Sequence, residues 1–311
     1  MAKSGTKVKL GNTRVTGKEQ YYTPPLLAFS ILDRVLSHLE DSTARVFLEP
    51  AGGTGAFIEA ALKIGFQKIV SLDIEPKHKL VQKGNFLDET FTWKGGVCVT
   101  NPPFGRNNSL SIPFFNHAAT YCDLIAFIVP RSWRKWSVIN RLDRNFQIVD
   151  DWDLSIDYLD DQGVESHGVG NLRTCVQVWR RDTSGLRALV KIPDHGIIKK
   201  VKPSEADVSF TLFGFGCGTV KEDFPRVPNS TQTFFKLNHP RALEALKAVD
   251  YSLFYRHTAF TEALGLNEIN FLLNNYLGLE NMPYSLDPSS DFYLGLKHVE
   301  QDGFGYQPRI L

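Results

Sequence analysis

The sequence has few cysteines, no long apolar run and almost no net charge, and each of these features excludes a class of protein. The four cysteines, Cys98, Cys122, Cys175 and Cys217, have spacings that fit neither a disulfide framework nor a zinc site. The cysteine spacings therefore predict a reducing, cytoplasmic compartment. The eight histidines show no metal-ligand spacing, so we expect no metal. No stretch approaches the roughly 18 apolar residues of a membrane span, and the N-terminus lacks the apolar run of a signal peptide. With 35 basic and 34 acidic residues, the chain is neither a uniformly basic nucleic-acid coat nor a disordered charged tail.

Hydrophobic patterning divides the 311 residues into three parts. Residues 1–20 carry five bases and one acid, which predicts a solvated tail or a basic arm that touches phosphates. Residues 21–185 alternate short apolar strands with helical patterns, as a parallel α/β sheet does. Residues 186–311 combine β-like segments such as Phe210–Gly216 with a helical ending, and they predict a smaller second domain. The predicted strands are Arg45–Glu49, Lys68–Leu72, Val97–Thr100, Leu124–Val129 and, as an outer strand, Thr174–Trp179; the predicted helices are Ala56–Ile64, Ser109–Tyr121, Pro240–Val249 and Glu268–Tyr276.

A glycine-rich turn follows the first strand and an acidic residue ends the second. The run Glu49-Pro50-Ala51-Gly52-Gly53-Thr54-Gly55 lacks the third glycine of a dinucleotide fingerprint and the Gly-Lys-Ser/Thr of a phosphate-binding loop. Its glycines still let the backbone approach a ligand at the carboxyl end of the strand. Asp73 can accept both hydroxyls of a ribose there, or it can cap a loop. After the next predicted strand, Asn85 and Phe86 offer an amide edge and an aromatic face that suit an adenine ring.

The segment Asn101-Pro102-Pro103-Phe104 follows the strand Val97–Thr100 directly. Two consecutive prolines force the chain out of the sheet as a stiff, extended loop. An exocyclic adenine amine is a poor nucleophile because its lone pair is delocalised into the ring. The side-chain oxygen of Asn101 and the carbonyl of Pro102 can each accept one amine hydrogen, and this stabilises the positive charge that grows on nitrogen during attack. Phe104 offers a flat face on which the base can stack.

The glycine turn, Asp73 and the Asn101–Phe104 motif together resemble the S-adenosylmethionine-dependent N6-adenine methyltransferases. Upstream, Tyr21-Tyr22-Thr23-Pro24-Pro25 is similar to an additional cofactor motif of that family, which contacts the methionine part of the donor. The order of these motifs resembles that of the gamma class of DNA adenine methyltransferases, in which a target-recognition region follows at the C-terminus. The resemblance covers roughly residues 20–180. It implies a doubly wound class I methyltransferase-like sheet, a C-terminal recognition domain over 186–311, S-adenosylmethionine as cofactor and DNA as partner.

The same resemblance assigns roles to individual residues. Catalysis falls to Asn101, Pro102, Pro103 and Phe104. Cofactor binding falls to Tyr22, Thr23, Glu49, Pro50, Ala51, Gly52, Gly53, Gly55, Asp73, Ile74, Asn85, Phe86 and Asn101. The family usually has Asp where this chain has Asn85, whose amide oxygen can still accept from the adenine amine. It also usually offers a second aromatic that sandwiches the flipped base, and His167 is the only ring in the corresponding loop, 166–171.

Three other functions stay open at this point. An RNA adenine methyltransferase would use the same pocket on an unpaired adenine. A protein glutamine methyltransferase is a further alternative, although that family prefers Tyr at the position of Phe104. A non-catalytic nucleic-acid-binding subunit on a methyltransferase scaffold is the alternative from a different class, and intact Asn101 and Asp73 disfavour it. The oligomeric state and the recognised sequence are not readable from the chain.

Basic side chains outside the motifs are candidates for phosphate contacts or for a solvated face. They are Arg131, Arg134, Lys135, Arg141 and Arg144 after the fourth strand, and Arg180, Arg181 and Arg187 near the domain boundary. The neighbouring Trp133 and Trp136 are predicted to pack in the core, as is Phe57 in the first predicted helix.

Overall fold

The computed structural model describes residues 21–156, 172–225, 232–288, 290 and 293–295, and the chain divides into two compact units. The first unit contains the described residues of 21–142, 148–180 and 257–261. The second contains the described residues of 143–147, 181–256 and 262–295. The predicted tail, 1–20, lies outside the described residues.

A seven-stranded sheet forms the framework of the first unit, in the order β3-β2-β1-β4-β5-β7-β6. The strands are β1 (Val46–Glu49), β2 (Lys68–Asp73), β3 (Gln82–Lys83), β4 (Gly96–Thr100), β5 (Cys122–Pro130), β6 (Phe146–Leu154) and β7 (Thr174–Arg181). The helices are α1 (Pro25–Leu36), α2 (Ala56–Ile64), α3 (Ser111–Ala118) and α4 (Trp136–Ile139). Strands β1 to β5 pair in parallel, and β7 runs antiparallel to β5.

Alternating side chains of the strands bury both faces of this sheet. On one face, α1 and α2 cover a core that includes Phe47 and Val97, and Phe57 joins this core as predicted. On the other face, Phe115 of α3 packs against Phe127 at 5.8 Å between ring centroids. Helices on both faces of a mostly parallel sheet make a doubly wound α/β fold. The fold class predicted from the sequence is therefore confirmed.

The antiparallel edge of the sheet differs from the prediction. The sequence predicts Thr174–Trp179 on the outside, but β7 lies between β5 and β6, and its first six residues are buried. The edge strand is β6, for which the sequence shows no clear strand pattern because it carries three aspartates. Two of them, Asp150 and Asp151, are buried in ion pairs with arginines that are distant in the sequence.

The second unit has a four-stranded antiparallel sheet in the order β10-β9-β11-β8. Its strands are β8 (Ile198–Lys200), β9 (Val208–Thr211), β10 (Val220–Lys221) and β11 (Gln232–Leu237), and its helices are α5 (Ala242–Ala248), α6 (Ser252–Tyr255) and α7 (Leu266–Leu277). Phe210 and Phe235 are fully buried and pack at 5.8 Å between ring centroids, so this sheet has a core of its own. That the unit recognises a target stays a prediction.

Candidate functional site

A cavity of about 620 Å³ opens at the carboxyl ends of β1, β2 and β4. This edge of a parallel sheet is where ligands bind in doubly wound folds. Most of the site residues predicted from the sequence line this cavity. They come from the upstream segment Tyr21–Thr23, the glycine turn, the end of β2 and the Asn101 loop. Those residues are Tyr22, Thr23, Glu49, Pro50, Ala51, Gly52, Gly53, Asp73, Ile74, Asn85, Phe86, Asn101, Pro102 and Pro103. Gly55 and Phe104 are not among the lining residues.

The glycine turn between β1 and α2 is closely packed. Gly53 has a φ of 46°, a left-handed conformation that favours glycine, and a Cβ there would lie 2.7 Å from the ring of Tyr22. Gly55 precedes α2, and a Cβ on it would lie 2.5 Å from the ring of His78. Gly55 therefore allows the turn to pack against His78, and it does not line the cavity.

Asp73 ends β2 and holds the glycine turn through its carboxylate. Its Oδ2 accepts a hydrogen bond from the backbone N–H of Gly53 at 2.9 Å, and its Oδ1 accepts from the N–H of Glu75 at 2.8 Å. Each carboxylate oxygen can accept more than one hydrogen bond. Asp73 thus caps the loop, which is one of its two predicted roles. Its oxygens keep lone pairs for a ligand hydroxyl, which the other predicted role, ribose binding, requires.

Glu49 is a buried carboxyl at the end of β1, and it lines the cavity. Its Oε1 accepts a hydrogen bond from the hydroxyl of Thr100 at 3.1 Å, while Oε2 is buried without a hydrogen-bond partner among the described residues. Burial raises the pKa of Glu49 well above its usual range; the Thr100 hydrogen bond opposes this shift, and the charge of Asp73 adds to it. A carboxyl in this state favours a cationic group in the cavity, because a nearby positive charge stabilises its ionised form.

An apolar pocket with one amide edge lies where β3 leads into the next turn. Phe86 is buried and packs against Phe114 of α3 at 5.3 Å between ring centroids, and the half-exposed Ile74 lines the same cavity. The amide of Asn85 donates to Oδ2 of Asp88 at 2.8 Å, and its oxygen accepts a long bond from the N–H of Leu87 at 3.4 Å. Ile74, Asn85 and Phe86 therefore line one part of the cavity, and their contact with a purine stays a prediction.

Asn101 is oriented by the segment that precedes α1. Its amide nitrogen donates to the carbonyl of Tyr21 at 2.8 Å and to the hydroxyl of Thr23 at 3.4 Å. Both amide hydrogens are used in this way, and no other described residue bonds to Oδ1 of Asn101. Because an amide oxygen only accepts hydrogen bonds, the side chain presents an acceptor beside the Pro102 carbonyl.

Phe104 has a different environment from the one expected of a free stacking face. It is buried, and its ring stacks on that of Tyr21 with centroids 6.2 Å apart and an interplanar angle of 27°. Tyr21 itself lines the cavity. Stacking of a base on Phe104 stays a prediction.

Arg106, Leu110 and Phe114 line the cavity, although the prediction from the sequence gave them no role. Arg106 follows the Asn101 loop and is exposed; its backbone carbonyl accepts from the N–H of Ser109 at 3.2 Å, whereas its guanidinium has no ion pair or hydrogen bond with any described residue. Its position directly after Phe104-Gly105 is the one signal that the sequence offers for it. A free cation at the rim of the cavity suits the phosphate of an approaching nucleotide.

Most of the basic side chains proposed as phosphate contacts are already engaged. Arg131 pairs with Asp153, and Arg134 pairs with both Asp151 and Asp153. Arg187 is completely buried and donates to the carbonyl of Phe146 at 3.1 Å, so its proposed phosphate contact is wrong. Burial, with the charge of Arg144 nearby, lowers the pKa of Arg187 to about 10. Trp133 and Trp136 are buried, as predicted.

Three further expectations concern the second stacking ring, a metal and a membrane span. His167 and the loop 166–171 lie outside the described residues. Among the described residues, no cluster of three or more His, Cys, Asp or Glu side chains could hold a metal ion. No helix in the same part of the chain is long and apolar enough to span a membrane.

Comparisons with known proteins give structural neighbours only. No protein-family model and no curated protein matches the sequence. A proposed RNA methyltransferase from Pyrococcus horikoshii aligns at 20% identity with a TM-score of 0.41, over 53% of this chain and 88% of its own. A proposed class I S-adenosylmethionine-dependent methyltransferase from Listeria monocytogenes aligns at 14% identity with a TM-score of 0.37, over 56% of this chain and 64% of its own. The M protein of the type I restriction enzyme EcoKI aligns at 17% identity with a TM-score of 0.38, over 53% of this chain and 44% of its own.

Proposed function

We propose that this chain is an S-adenosylmethionine-dependent methyltransferase that modifies the N6 amine of adenine in DNA. The observation that carries the proposal is the orientation of Asn101, whose two amide hydrogens are held by Tyr21 and Thr23. Its oxygen is thereby available to an amine at the mouth of a cavity that has the features of a nucleoside site.

The residues of the cavity fit the cofactor. S-adenosylmethionine supplies a methyl group on a positively charged sulfur and also carries an ammonium group, and the unpartnered Oε2 of the buried Glu49 suits a cationic group. Asp73 would accept from the ribose hydroxyls, and Ile74, Asn85 and Phe86 would hold the adenine. Gly52 and Gly53 let the backbone approach the ligand closely.

Two oxygen atoms of the Asn101 loop would bind the target amine. Oδ1 of Asn101 and the carbonyl of Pro102 each accept one N–H hydrogen, which directs the nitrogen lone pair away from the ring system. These two acceptors stabilise the positive charge on nitrogen as the N–C bond forms and the S–C bond breaks. The methylated nitrogen then loses one proton to solvent and becomes neutral.

DNA rather than RNA is supported by the presence of a second unit with its own core. A paired adenine must be extruded before it can reach Asn101, at a cost of a few kcal/mol that phosphate contacts and stacking offset. Arg106 at the rim supplies one such contact. An unpaired adenine in RNA could enter the same cavity, so the experiment includes both substrates.

The test offers tritiated S-adenosylmethionine to the protein with duplex DNA, single-stranded DNA and structured RNA, followed by nucleoside analysis. We expect N6-methyladenine in duplex DNA, and its loss in Asn101→Ala with cofactor affinity retained. Asn116→Ala is the matched control, since Asn116 lies on α3 and donates to the carbonyl of Arg141 outside the cavity. Substantial transfer by Asn101→Ala contradicts the assignment of the amine, and labelling of RNA alone contradicts the choice of DNA.

A further inference from the structure

The hairpin between β9 and β10 carries a fully exposed phenylalanine at its tip. Phe215 is at least as exposed as in an extended peptide, with a relative accessibility of 105%. Its neighbours Gly214 and Gly216 have φ angles of 88° and 77°, so the tip has a tight backbone and no flanking side chains. Single exposed apolar residues are common on protein surfaces, but a bare aromatic at a glycine-flanked tip is accessible from every side.

The tip is held in place by hydrogen bonds rather than frayed. The N–H of Gly214 donates to the carbonyl of Glu262 at 2.9 Å, and that of Gly218 donates to Thr211 at 2.8 Å. The N–H of Cys217 closes the turn on Gly214 at 3.0 Å. The backbone that presents Phe215 is therefore a fixed turn, so binding of a partner does not have to order this loop.

On one side of the sheet that bears this hairpin, Ser209 of β9 is buried and three lysines around it are exposed. Opposite the buried face of Phe210 and Phe235, strand pairing places Lys236 directly across from Lys199, and it places Lys221 on the same side. All three lysines are exposed, and Lys199 and Lys221 make no ion pair with any described residue, whereas Lys236 pairs with Asp207. We call Lys199, Lys221, Lys236 and the tip residue Phe215 the hairpin surface.

We propose that the hairpin surface is a contact for duplex DNA, in which the lysines bind phosphates and Phe215 stacks on or between bases. Cationic side chains spread over a sheet supply the sequence-independent part of DNA affinity. An apolar wedge inserted at a base step unstacks the two bases. The inference rests on the proposed function: duplex DNA is taken as the partner of the second unit because it is the proposed substrate of the first unit.

The experiment measures binding of the full chain to a fluorescein-labelled duplex by anisotropy at several salt concentrations. We expect Phe215→Ala to weaken binding about tenfold or more, as removal of one aromatic stacking partner does. Phe215→Trp should retain the wild-type affinity. Leu266→Ala is the matched control, because Leu266 is an exposed apolar side chain on α7 of the same unit. The double variant Lys199→Ala/Lys221→Ala should lower the slope of log affinity against log salt by about 0.9 for each phosphate that is no longer neutralised.

A second readout detects the wedge itself. With 2-aminopurine placed at successive positions of the duplex, the wild-type protein should raise fluorescence at one step that Phe215→Ala leaves quenched. Unchanged affinity and fluorescence in Phe215→Ala overturn the proposal, as does binding of structured RNA with no binding of duplex DNA. These outcomes are separable from failure of the proposed function: duplex binding that depends on Phe215, without methylation of any nucleic acid, supports the hairpin surface and rejects the reaction.

Discussion

At the scale of single residues, Glu49 couples cofactor binding to pH. Burial raises the pKa of its carboxyl, so the ligand-free protein loses stability as pH rises from the ordinary pKa of a glutamate to the raised one, where a buried charge forms. A bound cation reverses the preference by stabilising the ionised form. Affinity for S-adenosylmethionine should therefore increase with pH over the same range, and binding should release a proton.

The variant Glu49→Gln tests this coupling. We expect it to weaken binding about ten- to hundredfold at neutral pH, the range of a charged hydrogen bond, and to abolish the dependence on pH. Calorimetry in two buffers of different ionisation enthalpy measures the released proton. Glu59→Gln, which changes a half-exposed carboxyl paired with His78, should keep both the affinity and the proton release.

Asp73 has two roles that a single substitution cannot separate, because its carboxylate also holds the N–H groups of Gly53 and Glu75. Asp73→Ala should weaken binding of S-adenosylhomocysteine about tenfold or more, because charged hydrogen bonds are removed. A double-mutant cycle with the 2′-deoxy analogue isolates the ribose contact. If the analogue loses as much affinity in Asp73→Ala as the natural ligand does, Asp73 only caps the turn.

At the scale of secondary-structure elements, the ion pairs of Arg134 hold β6 on the sheet. The side chains of Arg134 and Asp151 are 12% and 0% exposed, and Asp151 also accepts from the amide of Gln177 at 2.9 Å. Removing one partner of a buried pair leaves the other charge uncompensated. Arg134→Ala should therefore lower the free energy of unfolding by about 3 kcal/mol or more in urea denaturation.

The control for this variant is Arg141→Ala, which removes an exposed arginine and should leave stability unchanged. Arg134→Ala should also leave the salt dependence of DNA binding intact, because its guanidinium is occupied by aspartates. A stable Arg134→Ala protein with a reduced salt slope would instead restore the phosphate contact expected from the sequence.

The elements that could be predicted from sequence are those specified by local pattern. Helix Ala56–Ile64 and strands β1, β2, β4 and β5 follow from apolar runs bounded by glycine and proline turns, and the cavity follows from the turns themselves. Strand β6 could not be predicted, because the buried Asp150 forms an ion pair with Arg34, which lies 116 positions away in the sequence. The stacking of Tyr21 on Phe104 also joins segments that are remote in sequence, and local pattern carries no signal for it.

At the scale of the whole molecule, the two units are interleaved along the chain. Residues 257–261 belong to the first unit although they follow most of the second. Arg173 donates from its backbone N–H to the carbonyl of Ala259 at 2.7 Å and from its side chain to Thr258 at 3.2 Å. A chain shortened after Gly185 therefore lacks part of the first unit's own structure, which a division at one boundary residue does not anticipate.

The shortened chain, residues 1–185, gives the last prediction. We expect it to fold with a lower midpoint in urea than the full chain, because the bonds to Thr258 and Ala259 are missing. It should bind S-adenosylmethionine with unchanged affinity once folded, since every residue that lines the cavity lies between Tyr21 and Phe114. It should not bind duplex DNA at moderate salt, because the hairpin surface is absent. Circular dichroism establishes folding, and calorimetry and anisotropy measure the two affinities. The full chain with Arg173→Ala is the control, since it loses the side-chain bond to Thr258 but keeps DNA binding. A folded fragment that binds duplex DNA as tightly as the full chain would place the DNA contacts in the first unit, around Arg106 and the mouth of the cavity.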